Sequence, residues 1–386
     1  MKKRLAIGGA GFAGAVIARE LAESGLYQID IFEERTHSAG NCHTERDGAT
    51  GVMVHRYGPH IFNTSREDVW NYVQRWGKFE PYINRVKART ARGMFSLPLN
   101  LLTINQFFGT TMNPAEAAEY VAALGDQNIT EPRNFEEQAL KFVGRALYEN
   151  FFRGYTLKQW GVDPSELPAS ILQRLPVRFN YDDNYYNTRF QGIPADGYTA
   201  IVNAILDHPG IRVHLGERLT PAMQADFDHL FFTGPLDSWF GFQLGRLQYR
   251  SLTFDRFEST GDFQGNAVIN YCEETVPWTR ISEHKHFAPW ESHERTVCFR
   301  EFSKLAGPAD IPYYPLRLTR DKDLLRQYME LADSSKGVTF AGRLATYRYL
   351  DMHVVIGESL DLAQHLLQLG PDTTRWPAFS VRPMSI

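Results

Sequence analysis

An apolar run, Leu5-Ala6-Ile7, leads into Gly9-Ala10-Gly11-Phe12-Ala13-Gly14, and a second strand-like stretch, Ile29 to Phe32, stops at Glu33. Glycines at this spacing between a strand and a helix suit a dinucleotide. Gly9 permits a tight turn, Gly11 lets backbone approach a pyrophosphate, and Gly14 lets the helix pack on the strand. The helix N-terminus adds N–H donors and the positive end of its dipole. Glu33 is placed to accept hydrogen bonds from a ribose diol. Other reactive types are sparse. His60 follows a Gly-Pro turn in Tyr57-Gly58-Pro59-His60-Ile61-Phe62, although a lone histidine is more often structural. His284 and His286 fall at i, i+2, on one face of a predicted strand and without carboxylate support, so no metal is expected. No Ser-His-Asp set, paired-carboxylate site or metal cluster stands out.

These residues need elements to hold them. Ala13, Val16, Ile17 and Leu21 recur at helical spacing, and Gly25 closes that helix. Ser65 to Trp76 reads as a helix capped by Ser65, with Asp68 completing a capping-box pattern. Tyr82 to Met94 reads as strand. From Leu99 to Tyr155 strand-like alternation vanishes, which predicts a helical insertion. Asp163 to Arg178 is polar and Pro-bounded and has the composition of a mobile lid. Strands dominate Tyr249 to Phe302. Ile211 to Leu215, Leu230 to Pro235 and Val338 to Arg343 read as strands returning to the first domain, and a last helix lies near Val354 to Leu369.

A chain of 386 residues predicts two or three domains. Its net charge of −4 provides no basic field for nucleic acid or an anionic membrane. No run of about 18 apolar residues predicts a membrane span. Lys2-Lys3-Arg4 before an apolar stretch could suggest a secretory leader, but glycines interrupt that stretch and Arg19 and Glu20 continue the same helix. Cys42, Cys272 and Cys298 are scattered and odd in number, which favours a reducing, cytoplasmic setting. The 26 Phe, 18 Tyr and 7 Trp must largely be core, yet Phe151 to Trp160 is dense enough in aromatics to suggest a stacking surface.

Several stretches together resemble the bacterial UDP-galactopyranose mutase family. They are the glycine loop, Tyr57 to Phe62, Gly154-Tyr155-Thr156-Leu157-Lys158-Gln159-Trp160-Gly161, Gln173 to Arg178, Gln191 to Pro194, Phe263 to Asn270, Glu283 to Phe287 and Gly342 to Tyr347. One departure is Asn63, where the family commonly has a second histidine. The resemblance implies an α/β fold with a discontinuous Rossmann-like FAD-binding domain (1–78, 196–240 and 321–386). It adds an antiparallel β-sheet domain (79–98, 177–195 and 241–320) and a helical domain with a mobile lid (99–176). It implies an isomerase that interconverts UDP-galactopyranose and UDP-galactofuranose. Reduced FAD attacks the sugar anomeric carbon through N5, UDP leaves, the ring contracts through an iminium adduct, and there is no net redox. The chemistry then belongs to the cofactor, in keeping with the lack of a protein nucleophile.

By the same likeness Arg174 and Arg280 hold the diphosphate, which suits guanidinium geometry, and act with His60 as the catalytic set. Tyr155 with Phe151 or Phe152 stacks on uracil, with helical core as the competing reading of the two phenylalanines. Trp160, Asn84 and Thr156 border the sugar, Tyr185, Tyr314 and Tyr349 donate to the diphosphate, and Asn270 contacts sugar or diphosphate. For FAD the likeness implies Gly9, Gly11, Phe12, Ala13, Gly14, Glu33, Glu34, Arg35, Asn41, His60 and Ile61 in the opening domain. Val213 falls near adenine, Gly342 and Arg343 at the pyrophosphate, and Leu350, Asp351 and Met352 at the start of the last helix. A homodimer and an external reductant are implied, with neither nucleic acid nor membrane as partner. Two rivals remain at this point: an FAD-dependent amine oxidase-like oxidoreductase, and a non-catalytic nucleotide-sugar binding protein.

Overall fold

In the computed structural model the chain is described over residues 2–174, 177–316 and 322–383, with the side chains of Ser170, Gln173, Arg174 and Arg375 outside that description. Lys3–Gly8 is the central strand of a five-stranded parallel sheet. The order is Ile211–Leu215, Tyr27–Glu33, Lys3–Gly8, His229–Phe232, Val338–Phe340. Strands covered on both faces are apolar almost throughout. Helices Phe12–Glu23, Gly197–Leu206 and Met352–Leu369 cover one face with Val16, Ile17, Leu21, Ile201 and Ile356. Helix Lys322–Ser334 covers the other, where Leu325 and Tyr328 join Phe232 and Phe340.

A seven-stranded sheet carries the rest of the β-structure, in the order Tyr314–Pro315, Tyr249–Thr260, Arg295–Leu305, Arg280–Glu283, Val268–Tyr271, Val86–Thr90, Gly93–Leu97. It is antiparallel except that Val86–Thr90 runs parallel to Val268–Tyr271. A parallel neighbour needs a long crossover, and the helical insertion lies in the connection between these two strands. The stretch read as one strand, Tyr82 to Met94, contains the first strand of a hairpin. Gly93 turns the chain at a φ of 130°, which suits glycine.

The helical segments Leu101–Phe108, Pro114–Leu124 and Phe135–Leu147 enclose a core of Phe107, Val121, Phe135, Ala139 and Leu147. The lid-like stretch contains two short 3-10 turns, Pro164–Glu166 and Ala169–Arg174. The Leu167 carbonyl accepts from the Phe135 N–H at 2.9 Å, and Leu167 and Leu172 are buried in the helical core. The Ser65 cap does not form. The helix is Glu67–Gln74 with Arg66 at its N-cap, because Thr64 Oγ1 accepts from the Arg66 N–H and the guanidinium pairs with Asp68 and Asp361. His284 and His286 sit in a 3-10 turn, His284–Phe287, rather than on a strand.

Gly14 is where helix meets strand most tightly: an added Cβ would collide with the Gly9 carbonyl oxygen and lie 3.1 Å from Ile7 Cγ2. Overpacking of this kind costs about 1–3 kcal/mol. Gly14→Ala is therefore expected to lower the thermal midpoint and reduce bound flavin, read by melting curves and absorbance of the purified protein.

Candidate functional site

A cavity of about 520 Å³ opens where the Gly9–Gly14 loop, the end of Tyr27–Glu33 and the Gly342 turn converge. Gly9 takes a φ of 109°, and an added Cβ would collide with Thr233 Oγ1. Gly11 differs. An added Cβ there meets no protein atom closer than Gly40 Cα at 3.9 Å, so the space over it belongs to the cavity. The N-terminus of helix Phe12–Glu23 opens on the same space, and Phe12 and Ala13 line it. Gly14 is spent on packing, as its spacing predicts.

Glu33 is buried. Its Oε2 accepts from the Ala10 N–H at 2.9 Å and its Oε1 from the Arg35 N–H at 3.0 Å, which fixes the carboxylate and leaves each oxygen a lone pair for a diol. Glu34, Arg35 and Asn41 line the cavity. Arg35 Nη2 donates to Asn41 Oδ1 at 2.8 Å, its guanidinium lies 4.5 Å over the Tyr57 ring, and its Nη1 is a buried donor without a partner. From the far wall Arg343 donates through Nε to the Leu350 carbonyl at 2.8 Å and through Nη1 to the Tyr313 carbonyl at 3.3 Å. Gly342, Leu350 and Met352 line the cavity, while Asp351 is the N-cap of the last helix. A turn of glycines, an orphaned guanidinium nitrogen, a second arginine and two helix N-termini around one cavity fit the pyrophosphate and ribose of FAD.

Two predicted residues lie elsewhere. Val213, on the edge strand of the parallel sheet, lines a separate depression with Thr36, His37 and Thr199. Ile61 is buried in a small core with Tyr82 and Ile193. Arg218, Leu219, Phe242, Arg246 and the 306–312 loop line the cavity without having been singled out. The turns in Ala306-Gly307-Pro308 were the only signal available for that loop.

His60 also lines the cavity. Its Nδ1–H donates to the Gly58 carbonyl at 2.9 Å, leaving Nε2 as the acceptor nitrogen, and its backbone N–H donates to His55 Nδ1 at 3.1 Å. Burial, then the Arg343 charge and that of Arg280, pull its pKa down to about 4, so the ring is neutral at pH 7.

The second group of residues is set out by strand register. Asn270 faces Arg280, and Arg280 faces Glu301, on three adjacent strands. Glu301 pairs with Phe254 and Tyr314 with Arg250, so Tyr314 shares the face of this row. Arg280 donates through Nε to Glu301 Oε2 at 2.8 Å, and the Thr279 hydroxyl donates to Oε1 at 3.2 Å. Burial works to lower the Arg280 pKa, but Glu301 and nearby phenols more than reverse it, so the guanidinium stays charged. Among the described residues its two Nη nitrogens have no partner.

Helix Gly154–Trp160 lies against this row through Trp160 and Tyr155, the latter close enough to feel the Arg280 and Glu301 charges, and carries buried Thr156. Trp160 meets Tyr314 edge-on at 5.8 Å, and Tyr314 meets Tyr349 at 5.5 Å. Arg343 lies 5.3 Å over the Tyr349 ring, which joins the two groups of residues. Tyr155 and Tyr185 are pushed above the usual phenol range, first by burial and against the lowering effect of Arg280, and remain protonated donors. The Tyr185 N–H donates to the Asn84 carbonyl at 2.8 Å, while Asn84 Oδ1 is buried without a partner. Phe151 is core: its ring meets Phe95 at 5.3 Å and Phe107 at 5.4 Å. Phe152 is buried in the same cluster. The Arg174 side chain lies outside the described residues.

His286 has the carboxylate neighbours that its sequence did not offer, Asp262 at 3.7 Å and Glu283 at 3.5 Å. Both acids are already engaged, Asp262 by Lys285 at 2.5 Å and Glu283 by the Phe263 and Gln264 N–H groups.

A family model described as UDP-galactopyranose mutase matches residues 150–349, and one for an NAD(P)-binding Rossmann-like domain matches 7–76. The chain is 54% identical over 379 residues to a Klebsiella pneumoniae protein described as a probable UDP-galactopyranose mutase, covering 98% of each. It is 50% identical over 371 residues to an Escherichia coli dTDP-fucopyranose mutase, covering 94% of this chain and 98% of the relative. Among solved structures, a reduced UDP-galactopyranose mutase shares the fold with a TM-score of 0.73 over 97% of each chain, at 16% identity.

Two desolvated histidines set a pH dependence. His60 and His284 are held at about 4 and about 3, chiefly by burial, against an ordinary value near 6.5. Below about pH 6.5 the unfolded chain takes up protons that the folded chain refuses, so stability falls as pH drops from about 6.5 toward 4, and these two groups add no slope above pH 7. Each group contributes about 1.4 kcal/mol per pH unit inside its window. Denaturant melts between pH 7.5 and 5 should show that slope, and His60→Asn should make it shallower.

Proposed function

The chain belongs to the UDP-galactopyranose mutase family, and on that premise we propose that it interconverts UDP-galactopyranose and UDP-galactofuranose with no net redox change. It is an FAD-dependent isomerase. The observation that carries the substrate reading is Arg280: charged, anchored through Nε to Glu301, and beside an aromatic helix, with its Nη nitrogens free of partners among the described residues. Bound and reduced, FAD supplies the electron-rich centre that takes the sugar from its nucleotide.

The protein's own residues bind, orient and hold protons in place. Arg280 receives the departing diphosphate, and Arg174 is its proposed companion. Tyr155 stacks on uracil, with Phe152 behind it and Phe151 as core support. Trp160, Thr156, Asn84 and Asn270 enclose the sugar, and the unpaired Asn84 Oδ1 is an acceptor waiting for a hydroxyl. Tyr185, Tyr314 and Tyr349 donate their phenol O–H groups to phosphate oxygens. Neutral His60 offers Nε2 as an acceptor beside the cofactor. Gly9, Gly11, Glu33, Arg35 and Arg343 hold the cofactor's ribose and pyrophosphate, and Met352 begins the helix at its flavin end. We place the enzyme in the cytoplasm as a homodimer fed by an external reductant. Among the described residues no helix is long and apolar enough to cross a membrane.

The two rival activities lose their ground to family membership. A closer alternative comes from the E. coli relative, whose name specifies a thymidine nucleotide and a 6-deoxy sugar. The test offers dithionite-reduced protein UDP-galactofuranose and dTDP-fucofuranose in parallel and resolves the products by chromatography. The reading expects faster turnover of the uridine substrate, and little turnover by the oxidised protein. Preference for the thymidine substrate overturns it. Arg280→Ala should lower kcat/KM by roughly ten- to 150-fold, the equivalent of about 1.5–3 kcal/mol for charge-assisted hydrogen bonds, with flavin content unchanged.

A further inference from the structure

Lys158 stands between the aromatic pair Tyr155 and Trp160 in sequence, and the function so far gives it no role. Its Nζ donates to four backbone carbonyls, Tyr271 at 2.7 Å, Glu273 at 2.8 Å, Val276 at 2.9 Å and Trp278 at 3.0 Å. Three belong to one turn, and Tyr271 is the strand residue that enters it. That turn joins strand Val268–Tyr271, which carries Asn270, to strand Arg280–Glu283, which begins with Arg280. Four carbonyl dipoles aimed at one point repel one another unless a cation sits there. An ammonium has three N–H groups and no acceptor, so this cluster saturates it.

Helix and turn are already in contact at a second place. An added Cβ on Gly154 would collide with the Cys272 carbonyl oxygen and lie 3.0 Å from Glu274 Cγ. Arg153 pairs with Glu274. On the other side of the helix Arg250 Nε donates to the Gln159 carbonyl at 3.0 Å, and Ser303 Oγ donates to the same oxygen at 2.6 Å. Among these ties, the Lys158 ammonium is the one that draws the whole turn toward the helix. Burial pulls its pKa down to about 8, which still leaves it charged at neutral pH.

We propose that Lys158 is a positioning residue for nucleotide binding: by gathering the 271–278 turn around its ammonium, it fixes the distance between Arg280 and Asn270 on the sheet and Tyr155 and Trp160 on the helix. Lys158 touches neither substrate nor cofactor in this role. The inference rests on the reading of Arg280 as a diphosphate-binding group.

The test titrates UDP into oxidised holoenzyme, followed by calorimetry or flavin fluorescence, for wild type, Lys158→Met and Lys158→Ala. Lys158→Met should weaken UDP binding at least tenfold while flavin content and FAD affinity match wild type. Adding n-propylammonium to Lys158→Ala should restore most of the lost affinity, and tetramethylammonium, which has the charge without N–H donors, should not. Wild-type UDP affinity in Lys158→Met overturns the proposal, whatever happens to its melting temperature. Equal loss of FAD and UDP affinity, or equal rescue by both ions, overturns it too. If Lys158→Met does not accumulate as holoenzyme, Gly154→Ala crowds the same turn with the ammonium intact and must show the same selective loss. Failure of the wild type to bind UDP would instead strike the functional reading itself.

Discussion

A carboxylate that is 1% exposed, Glu301, holds the Arg280 guanidinium by its Nε, and the rest of the site is arranged around that pair. A buried carboxylate without a partner is costly, and losing one member of such a pair typically costs about 3–5 kcal/mol. The pair is therefore weak evidence for stability and good evidence for orientation. With Nε and Thr279 satisfying Glu301, the planar guanidinium has its orientation set and its outer edge left over. A planar fork presented that way matches a diphosphate. Strand register then places Asn270 and Tyr314 on the same face, so the row proposed to bind the nucleotide is set by the pairing of the sheet.

Arg343 and Arg280 sit in different parts of the site. Arg343 lies in the dinucleotide cavity and also over Tyr349, and Arg280 lies in the sheet row. His60 feels both charges and is largely desolvated in the cavity wall, which keeps it neutral. A third positive charge between two arginines would compete for the same anions. A neutral imidazole with its tautomer set by the Gly58 carbonyl adds an acceptor at that place instead. Electrostatics here are fixed before any ligand arrives, which is the property a site needs when charge develops on a leaving group.

The glycine loop was legible because each glycine has a separate steric reason that spacing encodes. Gly14 collides with backbone if enlarged, whereas Gly11 faces open cavity. The parallel sheet was legible from its apolar runs. Register was not, since nothing local tells that Asn270, Arg280 and Glu301 stand in one row across three strands. Glu301 was missed for that reason, although its partner Arg280 was named. For Phe151 the sequence left a stacking surface and helical core both open, and it packs against Phe95 and Phe107. Val213 lines a second depression beside the edge strand rather than the main cavity, a placement that its sequence does not encode. Ser65 failed as a cap because ion pairs of Arg66 with Asp68 and Asp361 fix the helix start one residue later.

The central claim is that Glu301 acts on the nucleotide only through Arg280. A double-mutant cycle measures this, with UDP dissociation constants for wild type, Glu301→Ala, Arg280→Ala and the double variant, each with full flavin content. The account predicts that Glu301→Ala weakens UDP binding in the wild-type background and changes little once Arg280 is already alanine. Losses that simply add would contradict it.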